Sequence, residues 1–153
     1  MAMKHKIAFA LTLPLLLSTT PSLADDIKAL TPKGMEWTKE YKMSPGLKVG
    51  NTVYLSGNTA QPTNQSKEAL KAAYVTMFNN VEKVLNEAGL SWADVIDMTS
   101  FHTDLEGQKE IFLKVRSKYL QKEPYPTWTA IDVDRLWEKE FVTEIKIVAR
   151  VKN

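Results

Sequence analysis

The chain predicts an α+β domain, a mixed sheet with two helices packed on one of its faces. Three observations lead there. Residues 141–151 alternate, with Phe141, Thr143, Ile145, Ile147, Ala149 and Val151 on one side and Val142, Glu144, Lys146, Val148 and Arg150 on the other. Alternation of that length marks a half-buried strand. Two stretches, 66–88 and 107–120, instead carry apolar residues at spacings of three and four, which is the period of an amphipathic helix. Short β-rich runs punctuated by Gly and Pro fill the remainder.

The first 24 residues stand apart from this pattern. Lys4 and Lys6 precede an apolar run, Ile7 to Leu17, and Ser22-Leu23-Ala24 supplies small residues at the third and first positions before Asp25. Basic, then apolar, then small-x-small is the layout of a secretory signal peptide. The apolar run is too short to span a bilayer, so no stable membrane anchor is expected. Cleavage after Ala24 leaves one domain, 25–153, in the periplasm or outside the cell. It also removes Lys4 and Lys6, along with His5, leaving 18 basic against 18 acidic side chains. A balanced surface does not favour nucleic acid, which attracts a basic stripe. The chain has no cysteine, which excludes disulfides, thiolate catalysis and thiolate metal sites.

The mature segment opens with a mixed stretch broken by Pro32 and Gly34, after which Met35 to Met43 is expected to form an edge strand. Leu47-Lys48-Val49, Gly50-Asn51 and Thr52-Val53-Tyr54-Leu55 form a hairpin pattern, since Gly and Asn tolerate positive φ at the turn. Ser56-Gly57-Asn58 ends it. The first helix presents Leu70, Ala73, Met77, Val81, Val84, Leu85 and Ala88 to a sheet and stops at Gly89. A strand from Val95 to Thr103 follows, and then a second helix presenting Ile111, Val115 and Tyr119. Two closing strands come last, the earlier pairing off Thr129, Ile131 and Val133 against Trp128, Ala130 and Asp132. Trp128 and Glu144 both lie opposite their strand's more apolar row, which predicts that they share the outer face. An exposed Trp there asks for a cover, and a partner subunit is the simplest one.

Chemistry-bearing groups are sparse. His102 and Asp104 share a strand face, but a metal needs three or four convergent ligands, and no such spacing exists. No phosphate loop and no Gly-x-Ser-x-Gly elbow are present. Lys146 and Arg150 beside Glu144 would be, by themselves, an ordinary solvated charge row.

Several pieces together resemble one family. Tyr125-Pro126, Thr129-Ala130-Ile131 and Glu144-Ile145-x-Ile147-Val148-Ala149 are similar to the C-terminal signature of the RidA (YjgF) family. Leu47 to Gly57, Asn80-Val81-x-x-Val84-Leu85-x-x-Ala88-Gly89 and Asp94 to Asp104 match further pieces in the same order. The resemblance covers about Leu47 to Val151. It implies a RidA-like (chorismate-mutase-like) fold, a homotrimer with clefts between subunits, and cofactor-free hydrolysis of reactive imines such as 2-iminobutanoate or 2-aminoacrylate.

Residue by residue, the resemblance is uneven. The glutamate that orients water is kept as Glu144, and Ser56 and Gly57 match. The arginine that clamps the substrate carboxylate is replaced by Trp128, a tyrosine by Met43, an asparagine on the second helix by Leu113 and a second glutamate by Lys146. An indole N–H is one neutral donor where a guanidinium offers a charged fork. Lys146 and Arg135 are the candidate substitutes. Three expectations follow. One is a trimer binding, in clefts floored by Trp128, a small ligand less anionic than an imino acid. Another is a hydrolase of altered specificity using Glu144, and the last is a structural trimer with inert clefts.

Export is testable directly. Residues 1–30 fused to a reporter active only after translocation should give signal, and protein purified from its native cells should begin at Asp25. An intact Met1 or Met3 on that native protein contradicts the assignment.

Overall fold

The computed structural model describes residues 26–151; the leader expected at 1–24 lies outside them. Seven strands form one mixed sheet. They are β1 (Ile27–Leu30), β2 (Gly46–Val49), β3 (Thr52–Leu55), β4 (Asn58–Ala60), β5 (Val95–His102), β6 (Thr127–Asp132) and β7 (Thr143–Arg150). Two helices, α1 (Lys67–Glu87) and α2 (Leu105–Arg116), pack against it. The strand order is β1-β2-β3-β7-β5-β6, with β4 also paired to β7. Only β5 and β6 run parallel, joined by α2 as the crossover such a pair requires.

The α+β expectation holds, and the hairpin, both helices and the last three strands appear where the sequence places them. The segment 35–43 is a correction. It forms a 3₁₀ helix over Glu36–Tyr41, not an edge strand. The reason is local: the Thr38 hydroxyl and backbone N–H both bond the Met35 carbonyl, and the Glu36 carboxylate accepts from the Gly34 N–H. These short-range bonds compete with a ladder. The outermost strand at that end of the sheet is instead β1, whose four residues are too few to show a pattern. The hairpin ends after Leu55, as expected, but Asn58 opens a further strand, β4, which pairs with β7 beyond β3.

Register explains which residues go inside. Thr143, Ile145, Ile147 and Ala149 of β7 are all fully buried, as are Val53, Met98, Ser100 and His102 on the neighbouring strands. From α1 come Ala73, Tyr74, Met77, Phe78, Val81, Val84 and Leu85, the predicted stripe widened by two aromatic rings. Each Val, Leu, Ile, Met or Phe among them contributes about 1.5–3 kcal/mol by leaving water. The Ser66 hydroxyl accepts from the Ala69 N–H at the start of α1, and Gly89, at φ 71°, allows the chain to turn off its end.

The second helix begins two residues earlier than its apolar pattern suggests, because Asp104 caps it by accepting from the Gly107 N–H at 3.0 Å. Its buried residues are Gln108, Phe112 and Val115. Phe112 sits at the hub of an aromatic cluster with Tyr74, Phe78, His102 and Trp128.

A polar network runs through this apolar layer. The Tyr74 and Thr143 hydroxyls are 3.0 Å apart, Thr143 Oγ1 donates to Gln108 Oε1 at 3.0 Å, and His102 Nδ1 lies 3.1 Å from the same oxygen. Burial, partly offset by the bond to Thr143, raises the Tyr74 pKa to about 12. Burial likewise lowers that of His102, so the ring is neutral at pH 7. The histidine is thus a hydrogen-bonded core residue at a strand end. Replacing Thr143 by the isosteric Val strands the Tyr74 hydroxyl in the core and should cost about 1–3 kcal/mol. Urea unfolding is expected to show a lower midpoint at unchanged slope; an unchanged midpoint would mean that the network carries no stability.

Candidate functional site

The predicted site residues fall into two groups on opposite faces of the sheet. Phe101 pairs with both Ile131 and Glu144, whereas Ser100 pairs with Ala130 and the buried Ile145. Glu144 therefore points to the outer face, as expected. Trp128 does not. It pairs with the buried Met98, its indole N–H donates to Ser100 Oγ at 3.0 Å, and its ring stacks 6.0 Å from that of Phe112. It lies on the helix face, 37 % exposed because β6 is the sheet's edge. The expectation that Trp128 and Glu144 share a face is thus corrected. On an edge strand exposed throughout, hydropathy does not mark the inner row. The placement of α2 does.

On the outer face, Glu144 folds over the break between β3 and β4. A Cβ at Gly57 would overlap the Glu144 carboxylate, so the glycine leaves the room in which that carboxylate lies. Ser56 bonds the facing loop twice, its hydroxyl donating to the Ser44 carbonyl at 2.7 Å and its N–H to the Pro45 carbonyl at 2.9 Å. That loop carries Met43. Met43, Ser56 and Gly57 line one hollow of about 210 Å³, together with Trp37, Asn58 and Lys83. Glu144 also borders a wider hollow of about 440 Å³ with Phe101, Arg135 and Trp137. Burial raises the Glu144 pKa, and Lys146, two residues along the same face, partly offsets it. A half-buried carboxylate of raised pKa can hold and orient water or exchange a proton.

The candidate substitute cations are elsewhere engaged or placed. Arg135 donates from Nε to the Leu136 carbonyl and from Nη2 to the Trp137 carbonyl, both at 3.2 Å, which folds it onto its own loop. Lys146 is on the Glu144 face, across the sheet from Trp128. Leu113 is 43 % exposed on the outward side of α2. The α2 residues that reach Trp128 are Phe112 and Arg116, whose guanidinium carbon lies 4.3 Å from the ring centroid. Sequence reasoning missed both. Their signal was the i, i+4 spacing on the stripe that a crossover helix must lay against its two parallel strands. Among the described residues, no cluster of His, Cys, Asp or Glu could hold a metal ion.

Comparison with known proteins fits this geometry. A family model described as Endoribonuclease L-PSP matches residues 35–151. The RutC family protein YjgH of Escherichia coli (strain K12) is 34% identical over 113 residues, spanning 73% of this chain and 85% of the relative. A RutC family protein of Sulfurisphaera tokodaii is 30% identical over 108 residues, covering 69% and 84%. Among solved structures, that of protein YJGH superposes with a TM-score of 0.69 at 30% identity, covering 84% of this chain and 98% of the other. A member of the YjgF/YER057c/UK114 family from Mycobacterium tuberculosis gives 0.68 at 21% identity, over 80% and 98%, a likeness of fold alone.

Proposed function

The chain belongs to the Endoribonuclease L-PSP family, that of the RidA/YjgF proteins, and from this premise we propose that it is an exported homotrimer binding a small molecule in clefts between subunits, with little 2-imino acid deaminase activity. The observation that carries this reading is the state of Trp128. Its single N–H is spent on Ser100 and its ring is packed against Phe112, so β6 presents no charged fork to a substrate carboxylate. Losing such a charge-assisted pair costs about 2–5 kcal/mol.

The clefts belong between copies because one protomer cannot unite the two halves. Glu144, Gly57 and Ser56 are on the outer face, and Trp128 is at the edge of the other. The outer face also exposes Leu47, Tyr54 and Ile131, apolar groups that a second copy would cover. An RNA substrate, suggested by the description of the family model, is disfavoured by a near-neutral mature chain.

A second reading, an imine or enamine hydrolase of altered specificity, is favoured by Glu144 itself. Its raised pKa and its place over Gly57 are what a water-positioning carboxylate needs.

Imine decay separates the two. With 2-iminobutanoate or 2-aminoacrylate generated in situ by a dehydratase and followed by absorbance, the chain should act at least ~30-fold more slowly than an arginine-bearing relative. Comparable rates would overturn the binding reading and promote the hydrolase.

A further inference from the structure

The cation over Trp128 has no partner in the network just described. Arg116 lies in the last turn of α2. It forms neither of the ion pairs seen among the described residues, Lys109–Glu106 and Lys139–Glu140. Its Nε is buried and meets no acceptor. A position near a helix C-terminus suits any cation, but Lys114 meets that preference without being drawn over a ring. Nε is closed to a ligand, but the Nη end of the same guanidinium is not among the buried atoms and carries no hydrogen bond to the described protein.

We infer that Arg116, held against the Trp128 ring, is the anion-binding group of the cleft, taking the carboxylate of a small ligand from α2 in place of an arginine on β6. The geometry serves that role in two ways. Stacking on an indole fixes the plane of a guanidinium and leaves its edge free to form two parallel bonds to a carboxylate. The indole is itself fixed, by its bond to Ser100 and its packing on Phe112 one turn before Arg116. Trp128 thereby changes meaning. It is the platform for a displaced clamp, and the ligand is a carboxylate instead of the less anionic molecule that the sequence suggested.

The inference rests on the small-molecule reading above and deepens it by naming the ligand class. A clamp on α2 holds the carboxylate in a different place from one on β6, so binding without fast imine hydrolysis is still the expectation. Its test uses the indole N–H resonance of Trp128 in ¹⁵N-labelled full-length mature protein, assigned by its loss in Trp128→Phe. Three probes are titrated: 2-oxobutanoate, its methyl ester and inorganic phosphate. The keto acid is expected to shift the resonance saturably, and the ester to leave it in place at equal concentration. Arg116→Gln should weaken keto-acid binding at least tenfold. Arg116→Lys, which keeps a charge but not the planar fork, should weaken it several-fold. Light scattering and thermal unfolding confirm that each variant assembles and folds as the parent does. Equal affinity in the parent and Arg116→Gln overturns the inference, as does the absence of keto-acid binding to the parent or equal binding of the ester. Tighter Arg116-dependent binding of phosphate overturns the carboxylate assignment. None of these readouts involves imine hydrolysis, so their failure leaves the proposed function to be judged by the decay assay alone.

Discussion

Strand β7 has hydrogen-bonded neighbours along both edges, β3 and β4 on one side and β5 on the other, so its register cannot slip without breaking both ladders. A shift by one residue would also turn Ile145, Ile147 and Ala149, all fully buried, out to water and bring Glu144 and Lys146 into the core. That double lock positions every outward side chain of the sheet's centre. Glu144 is held on the outer face because Thr143 and Ile145 on either side of it are held in the core. Gly57 completes the arrangement, because without a side chain it lets the carboxylate lie across the break where β3 hands over to β4.

The same lock divides the chemistry. With Glu144 on the outer face and Trp128 pointing to the helix side, the protein resembles two half-sites more than one pocket. The outer half has a carboxylate whose protonation is tuned by burial, with Lys146 as a counterweight. The edge half has a rigid indole with a guanidinium above it and a phenyl ring beside it. A ligand that used both would have to sit where the edge of one copy meets the outer face of another. The proposed clefts therefore follow from strand parity as much as from family likeness.

Most of the fold was legible in the sequence, because it is written in periodicities. The 141–151 alternation and the α1 stripe are long enough for burial to impose a regular pattern, and both survive in the structure nearly residue for residue. Short or polar elements escaped. Strand β1 has four residues with only its last buried, and β4 has three, too few for a pattern to emerge. The segment 36–41 went wrong because local hydrogen bonds decided its shape, and hydropathy does not report them. The site was less legible for a related reason. Sequence correctly set Glu144 outward and Ser56 beside Gly57, but it placed Trp128 by the hydropathy of an edge strand, where both rows are exposed. The resemblance pointed to Leu113, which faces outward, whereas the α2 residue packed on Trp128 is its neighbour Phe112, about 100° round the helix.

Whether the half-sites come together depends on assembly, so the mass of the mature chain in solution is the most direct check. Light scattering on protein lacking residues 1–24, at micromolar concentration, should give a single species of three chains, roughly 45 kDa. A monodisperse monomer would leave Leu47, Tyr54 and Ile131 facing water and Glu144 apart from Trp128, and would contradict a site shared between copies.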